Sequence, residues 1–220
     1  MLPSNMPAKI SAGEKDLQSD RSESPNRVAV FIDYENARQN AREAFLPFSS
    51  PSHVGVFDPV ALATHIVSLR NFPSKLAKVY VFRGRPNPKH QPEAASAFDK
   101  YAAKWKQSEV CELRSRDLKY RHYDDGTFSA QEKGIDVDLA VQAIQHAVTN
   151  KYDVIIIMSN DSDLLPAVEF IYHETRPRLE VAGWEADGQY PLRIHRGTSK
   201  SRAPYCHYLG DHVFRQVQDD

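Results

Sequence analysis

Two stretches of the chain, Val28–Ile32 (VAVFI) and Val154–Met158 (VIIIM), are apolar at every position, and each gives way to polar residues that include aspartate. Five residues are too few for a buried helix. A strand covered on both faces has this pattern, and such strands belong to parallel sheets with helices packed above and below. The rest of the sequence agrees. Lys75–Phe82, Val110–Leu113 and Arg178–Ala182 read as further strands. Helical segments alternate with them: Glu35–Phe45, a helix from Asp58-Pro59 to Leu69, then Glu93–Lys106, Asp136–Thr149 and Asp163–His173. Asp58 supplies an N-cap there and Pro59 a first-turn proline. Along 136–149, Val137, Val141, Ile144 and Val148 recur at i, i+4, i+7 and i+11, so this stripe is expected to face the core. Asp125-Gly126, between Leu118–Tyr123 and Thr127–Gln131, is a strong β-hairpin signal. Strands alternating with helices in this way specify an α/β fold with a mostly parallel sheet.

The 220 residues suit one such domain with tails. Residues 1–26 hold little to bury and are expected to form a disordered leader, followed by a single domain over 27–220 with a C-terminal extension from about 184. Two cysteines cannot build a disulfide framework, and no apolar run approaches the length of a membrane span. The first residues lack the apolar core of a secretory signal, so no membrane partner and a cytoplasmic location are expected.

The net charge of -1 argues on its face against a nucleic-acid partner, but the charges are segregated. No acid lies between Asp58 and Glu93, where Arg70, Lys75, Lys78, Arg83, Arg85 and Lys89 all fall. From Gly134 to Tyr190 ten acids face only Lys151, Arg176 and Arg178, and Arg193–Arg202 then returns four basic residues. A cation-binding centre with a polyanion-binding rim needs both kinds of patch. Solvated faces of a neutral protein are the plain alternative.

In open α/β sheets, ligands collect beyond the carboxyl ends of the strands. Asp33 follows the first strand, Asp161 and Asp163 follow Val154–Met158, and Asp136 opens the preceding helix, so all four are expected at one sheet edge. Carboxylates held together there would raise one another's pKa unless a cation sat among them. With no Cys or His in the set, the donors suit Mg²⁺ or Mn²⁺, and Asp33, Asp136 and Asp161 are the expected ligands. Each could instead be a turn or N-cap residue, the ordinary use of Asp at such places. That alternative weakens when several sites at one edge all hold Asp. Asp136 is taken here as a capping residue; Asp138, about 200° away around the helix, is left outside the set. Glu35, two residues past Asp33, is also left out because it points away if the strand continues.

VAVFIDYENAR (28–38), EKGIDVDLAVQAI (132–144) and DVIIIMSNDSDLLPAVEF (153–170) resemble, in order and separation, the three signature blocks of NYN domains, members of the PIN-like nuclease superfamily. The closing PYCHYLGDHVFRQV is similar to the C-terminal segment of some bacterial members. The resemblance implies a Rossmann-like three-layer α/β/α sandwich with strand order 3-2-1-4-5 and a metal-dependent ribonuclease site. It places Asp33, Asn36, Asp136, Asp161 and Asp163 on the family's motif positions. Two positions depart: Gln142 stands where members often carry a further aspartate, and Asn160 where they often carry glycine. The implied catalytic set is Asp33, Asp136, Asp161 and Asp163. A divalent ion they hold would activate water for attack on an RNA phosphodiester. On the substrate side the expected residues are Asn36 from the motif, Arg83 and Arg85 after the second strand at the same edge, Lys133 beside Asp136, and Ser159 and Asn160 near the next helix start.

Lys119-Tyr120-Arg121-His122-Tyr123 interleaves cations with rings, a composition that suits single-stranded RNA but equally an ordinary edge hairpin. Cys206, His207, His212 and His195 fit no common zinc spacing. The function expected is therefore metal-dependent RNA hydrolysis. The alternative is a catalytically weak RNA-binding or protein-interaction module that keeps the PIN-like fold. A HAD-type phosphotransferase would want a second Asp in Asp33-Tyr34-Glu35, which has none. A homodimer is left open.

Overall fold

The computed structural model describes residues 24–186 except 52, residues 188, 192 and 194, and residues 203–219. Most of the expected leader, and the basic segment 193–202 apart from Ile194, lie outside the described residues, His195 among them. The elements run β1 (Asn26–Asp33), α1 (Tyr34–Phe45), α2 (Pro59–Ser68), β2 (Ser74–Arg85), α3 (Pro92–Trp105), β3 (Cys111–Asp117), β4 (Lys119–His122), β5 (Phe128–Gln131), α4 (Ile135–Val148), β6 (Val154–Met158), α5 (Leu165–Glu174), β7 (Arg178–Trp184), β8 (Tyr205–Leu209) and α6 (Asp211–Val217).

Six strands form one sheet in the order β3-β2-β1-β6-β7-β8, and β4-β5 form a separate hairpin. Every neighbouring pair in the six-stranded sheet is parallel. Counted over its parallel strands, the order is 3-2-1-4-5 with a sixth strand, β8, added at the β7 edge. That strand was not read from the sequence. Tyr205–Leu209 is exposed at both tyrosines and buried only at His207 and Leu209, and it lacks the continuous apolar run of β1 and β6.

Period-two alternation splits β1 between two cores. Val28, Val30 and Ile32 face a layer made by α1, α2, α6 and the end of α3; Ala29 and Phe31 face α4 and α5. β6 is buried at all five positions.

The expectation for α4 is corrected. Val137, Val141 and Val148 are 54–59% exposed, and the buried face is Ile135, Leu139, Ala143, His146 and Ala147. The opposing surface explains this: Phe31, Tyr80 and Phe82 already fill that side of the sheet, so small alanines let the helix backbone approach.

Candidate active site

Asp33 ends β1 and caps α1, a double use that buries its carboxyl at the sheet's carboxyl edge. Its Oδ1 accepts from the Asn36 backbone N–H at 3.4 Å and its Oδ2 from the Ser159 hydroxyl at 3.0 Å. Burial pushes its pKa up to about 6. The two hydrogen bonds oppose that, and the charges of Asp161 and Asp136 add to it. Ser159, itself buried, also accepts from the Asp161 N–H at 3.1 Å, so one hydroxyl ties the two acids together. Asp161 caps a single 3-10 turn, Ser162–Leu164, its Oδ1 accepting from the Asp163 N–H at 2.9 Å.

Asp136 reaches the same place from α4, but not as a cap. The N-cap is Gly134, at φ 74°, a left-handed turn that suits glycine and brings no side chain. Asp136 lies in the helix's first turn, with its carboxylate not consumed by capping. A cavity of about 290 Å³ results, lined by Asp33, Asp136 and Asp161 together with Glu35, Asn36, Gln39, Glu132 and Ile135.

The remaining expected residues divide. Asn36 works within the protein: its Oδ1 accepts from the Asn160 N–H at 2.9 Å and from Asn40 Nδ2 at 3.0 Å, pinning the loop after β6 to α1. Asp163 is exposed on the 3-10 turn and Lys133 is exposed before α4; neither lines the cavity. Arg85 turns away to pair with Asp99 on α3 at 3.0 Å. Arg83 stays beside the site, 3.7 Å from Glu35. Asp138 is held by Arg114 of β3 at 3.3 Å. Much of the basic run is likewise internal, with Arg70 on Glu180 and Lys78 on the Glu109 carbonyl.

Four wall residues, Glu35, Gln39, Glu132 and Ile135, were not expected, and two of them are acids. The strand does not continue past Asp33, because α1 starts at Tyr34, and Glu35 is therefore turned into the cavity wall. Burial would raise its pKa, but the Arg38 guanidinium, which it pairs with closely, and Arg83 hold it below the ordinary value. Glu132, delivered by the hairpin's return strand, accepts from the Gly84 N–H at 2.5 Å. Although the residue as a whole is exposed, its carboxyl tip is crowded, and that burial pushes its pKa up to about 7, with Glu35 and Asp33 adding to it. Its position in the 132–144 block, just after the hairpin, was the available signal.

Among the described residues no three His, Cys, Asp or Glu side chains are drawn close enough to hold a metal ion by themselves. The donors are nevertheless all carboxylate oxygens that raise one another's charge cost, which fits a hydrated Mg²⁺ or Mn²⁺ taking one or two carboxylates and keeping its waters. No helix among the described residues is long and apolar enough to cross a membrane.

Among characterised proteins, the chain is similar to 6-hydroxy-3-succinoylpyridine 3-monooxygenase HspA of Pseudomonas putida, at 29% identity over 86 residues. That is 39% of this chain and 26% of that protein, so the match spans about a quarter of its length. A solved structure of a protein of unknown function from Vibrio parahaemolyticus aligns over 74% of this chain and 83% of its own, at 19% identity and a TM-score of 0.42. The NYN domain family model matches residues 27–193, which contain all three sequence blocks and every wall of the acidic cavity. The chain belongs to the NYN domain family, within the PIN-like nuclease superfamily.

Proposed function

We propose that this chain is a metal-dependent ribonuclease that hydrolyses phosphodiester bonds of single-stranded RNA at the acidic cavity. The observation that carries the reading is the convergence of Asp33, Asp136 and Asp161 on that one cavity from β1, α4 and the end of β6. Those three would hold Mg²⁺ or Mn²⁺. The ion, when bound, supplies an activated water and neutralises charge developing on the phosphate.

The protein's own contribution is preorganisation. Ser159 holds Asp33 and Asp161 in fixed relation, and Asn36 clamps the Asn160 backbone so that the turn carrying Asp161 does not drift. Near pH 6 in the absence of a cation, Asp33 shares its population between protonated and ionised forms. At limiting metal, where the proton competes with the cation for Asp33, activity should therefore rise with pH through that region.

A second reading, a catalytically weak RNA-binding module, is favoured by one observation: no three acidic side chains among the described residues close on a common point. Manganese titration of a labelled single-stranded RNA separates the two. Cleavage that requires Mn²⁺, stops with EDTA and is lost in Asp161→Asn supports the nuclease. RNA bound equally with and without EDTA, and left intact, supports the module.

A further inference from the structure

Beside the acidic cavity lies a larger one, about 500 Å³, and the two share Glu35, Gln39 and Glu132. Beyond the shared residues its walls carry Val56, Pro86, Ala94, Ala97 and Leu118, with the Tyr101 ring among them, and Arg38 and His53 add polar groups. A lining of this kind with a few convergent polar groups is how pockets for small organic ligands are built, and the volume falls in their range.

Arg83 and Glu132 each bring to this wall a polar atom without a hydrogen-bond partner among the described residues. Arg83 is packed on the rings of Tyr34 and Phe98, its guanidinium carbon 4.8 and 5.6 Å from their centroids. Its Nη1 is buried and has no hydrogen-bond partner among the described residues. A buried N–H left unpaired is a cost that a ligand acceptor would remove. Glu132 gives Oε1 to the Gly84 N–H, and no hydrogen bond reaches its Oε2 among the described residues. An unpaired donor and an unpaired acceptor thus line one pocket that opens beside the three aspartates.

We propose that this cavity is a nucleobase subsite that takes one unstacked guanine. Its O6 accepts from Arg83, its N1–H and amino group donate to Glu132, and its ring lies against Tyr101. Guanine alone among the four bases sets a carbonyl acceptor beside two N–H donors on one edge; adenine has no carbonyl, and uracil and cytosine offer a single donor there. An aromatic ring in the wall supplies the stacking surface that an unstacked base requires. The inference rests on the ribonuclease reading for the polymer that carries the guanine, but binding of the free nucleotide requires no cleavage.

Calorimetric titration of the full chain with 5′-GMP, 5′-AMP, 5′-CMP and 5′-UMP in EDTA tests it, at pH 8 so that Glu132 is ionised. GMP is expected to bind at least about tenfold more tightly than the other three, the discrimination that one good bidentate base contact gives. Arg83→Met should weaken GMP about tenfold. Because Arg83 packs on two rings, Ala97→Trp provides the second arm: from an exposed position on α3 it fills the cavity, and it should abolish GMP binding with an unchanged circular dichroism spectrum. Equal binding of all four nucleotides, no binding by the wild type at millimolar nucleotide, or undiminished GMP affinity in folded Ala97→Trp overturns the subsite. Mapping of cleavage sites with Mn²⁺ separates the two proposals. Cuts made without regard to guanine remove the subsite and leave the nuclease, whereas GMP bound by a protein that cuts no RNA leaves the subsite and removes the nuclease.

Discussion

Asp33 concentrates the site's chemistry in one carboxyl group, and its burial has a measurable sign. An acid whose folded pKa is raised, here from 3.8 to about 6, favours the folded state below its unfolded pKa. That advantage is lost as pH rises through the folded value. In metal-free buffer this one group should therefore account for a loss of up to about 3 kcal/mol between pH 4 and pH 7, beside the loss that Glu132 brings in the same window, and Asp33→Asn should remove its part of the slope. Chemical denaturation across this range, in EDTA, checks it. The same variant should retain the fold while losing RNA cleavage; cleavage at the wild-type rate would remove Asp33 from the site. Which acids could converge was readable from sequence, because strand ends and helix starts share an edge. What each carboxyl does was not: Asp136 is freed from capping by a left-handed Gly134, and only backbone geometry reveals that. Arg85 and Lys133 carry the right charge at the right edge, yet Asp99 takes one and the other stands off the cavity, since sequence position fixes an edge but not a side chain's direction.

α4 shows where periodicity misleads. Its valines repeat more cleanly than its alanines, so the stripe reads as the core face, but the face packed on the sheet's aromatic rings is the one that carries Leu139, Ala143 and Ala147. Gln142, half-buried, lies six residues and roughly 9 Å along the axis from Asp136 and is not among the walls of the acidic cavity. Gln142→Asp should leave the Mn²⁺ dissociation constant unchanged by calorimetry, although members of the family often carry aspartate there; a tighter constant would show that its charge reaches the ion. A different tie holds β7. Burial would raise the Glu180 carboxyl, but hydrogen bonds from His207 on β8 and Arg70 beyond α2 outweigh it and bring its pKa down to about 2. The stability this group contributes is fully present above its unfolded pKa of about 4.5 and is lost as pH falls toward 2. Glu180→Gln leaves the buried Arg70 guanidinium without its counter-charge and should cost about 3–5 kcal/mol at pH 7. A urea unfolding curve indistinguishable from wild type would contradict this.

Across the whole molecule, residues 203–219 do more than extend the domain. β8 covers the β7 edge, and Val213, Phe214 and Val217 of α6 enter the same core as α1 and α2. The Asp58 N–H donates to the Val217 carbonyl at 2.8 Å, Phe57 bridges to Gln218, and Lys104 pairs with Asp219 at 2.6 Å. Cutting the chain after residue 202 should therefore yield aggregated or molten protein, because four core side chains, Leu209 with the three of α6, are withdrawn at once. A sharp melting transition in the truncated chain would refute that. The alternation of elements was legible because long apolar runs announce buried strands, whereas the central strand order came only from the resemblance to NYN domains. The sixth strand and its helix were not, because a short edge strand carries half the apolar signal. The Phe57–Gln218 bridge also sets a clock. At 5–20 residues per second, the 161 positions between its partners take roughly 8 to 30 s to synthesise, so the loop before α2 waits that long on the ribosome for the segment that seals it. A nascent chain of this protein spends that interval with the Phe214 site in its core unfilled.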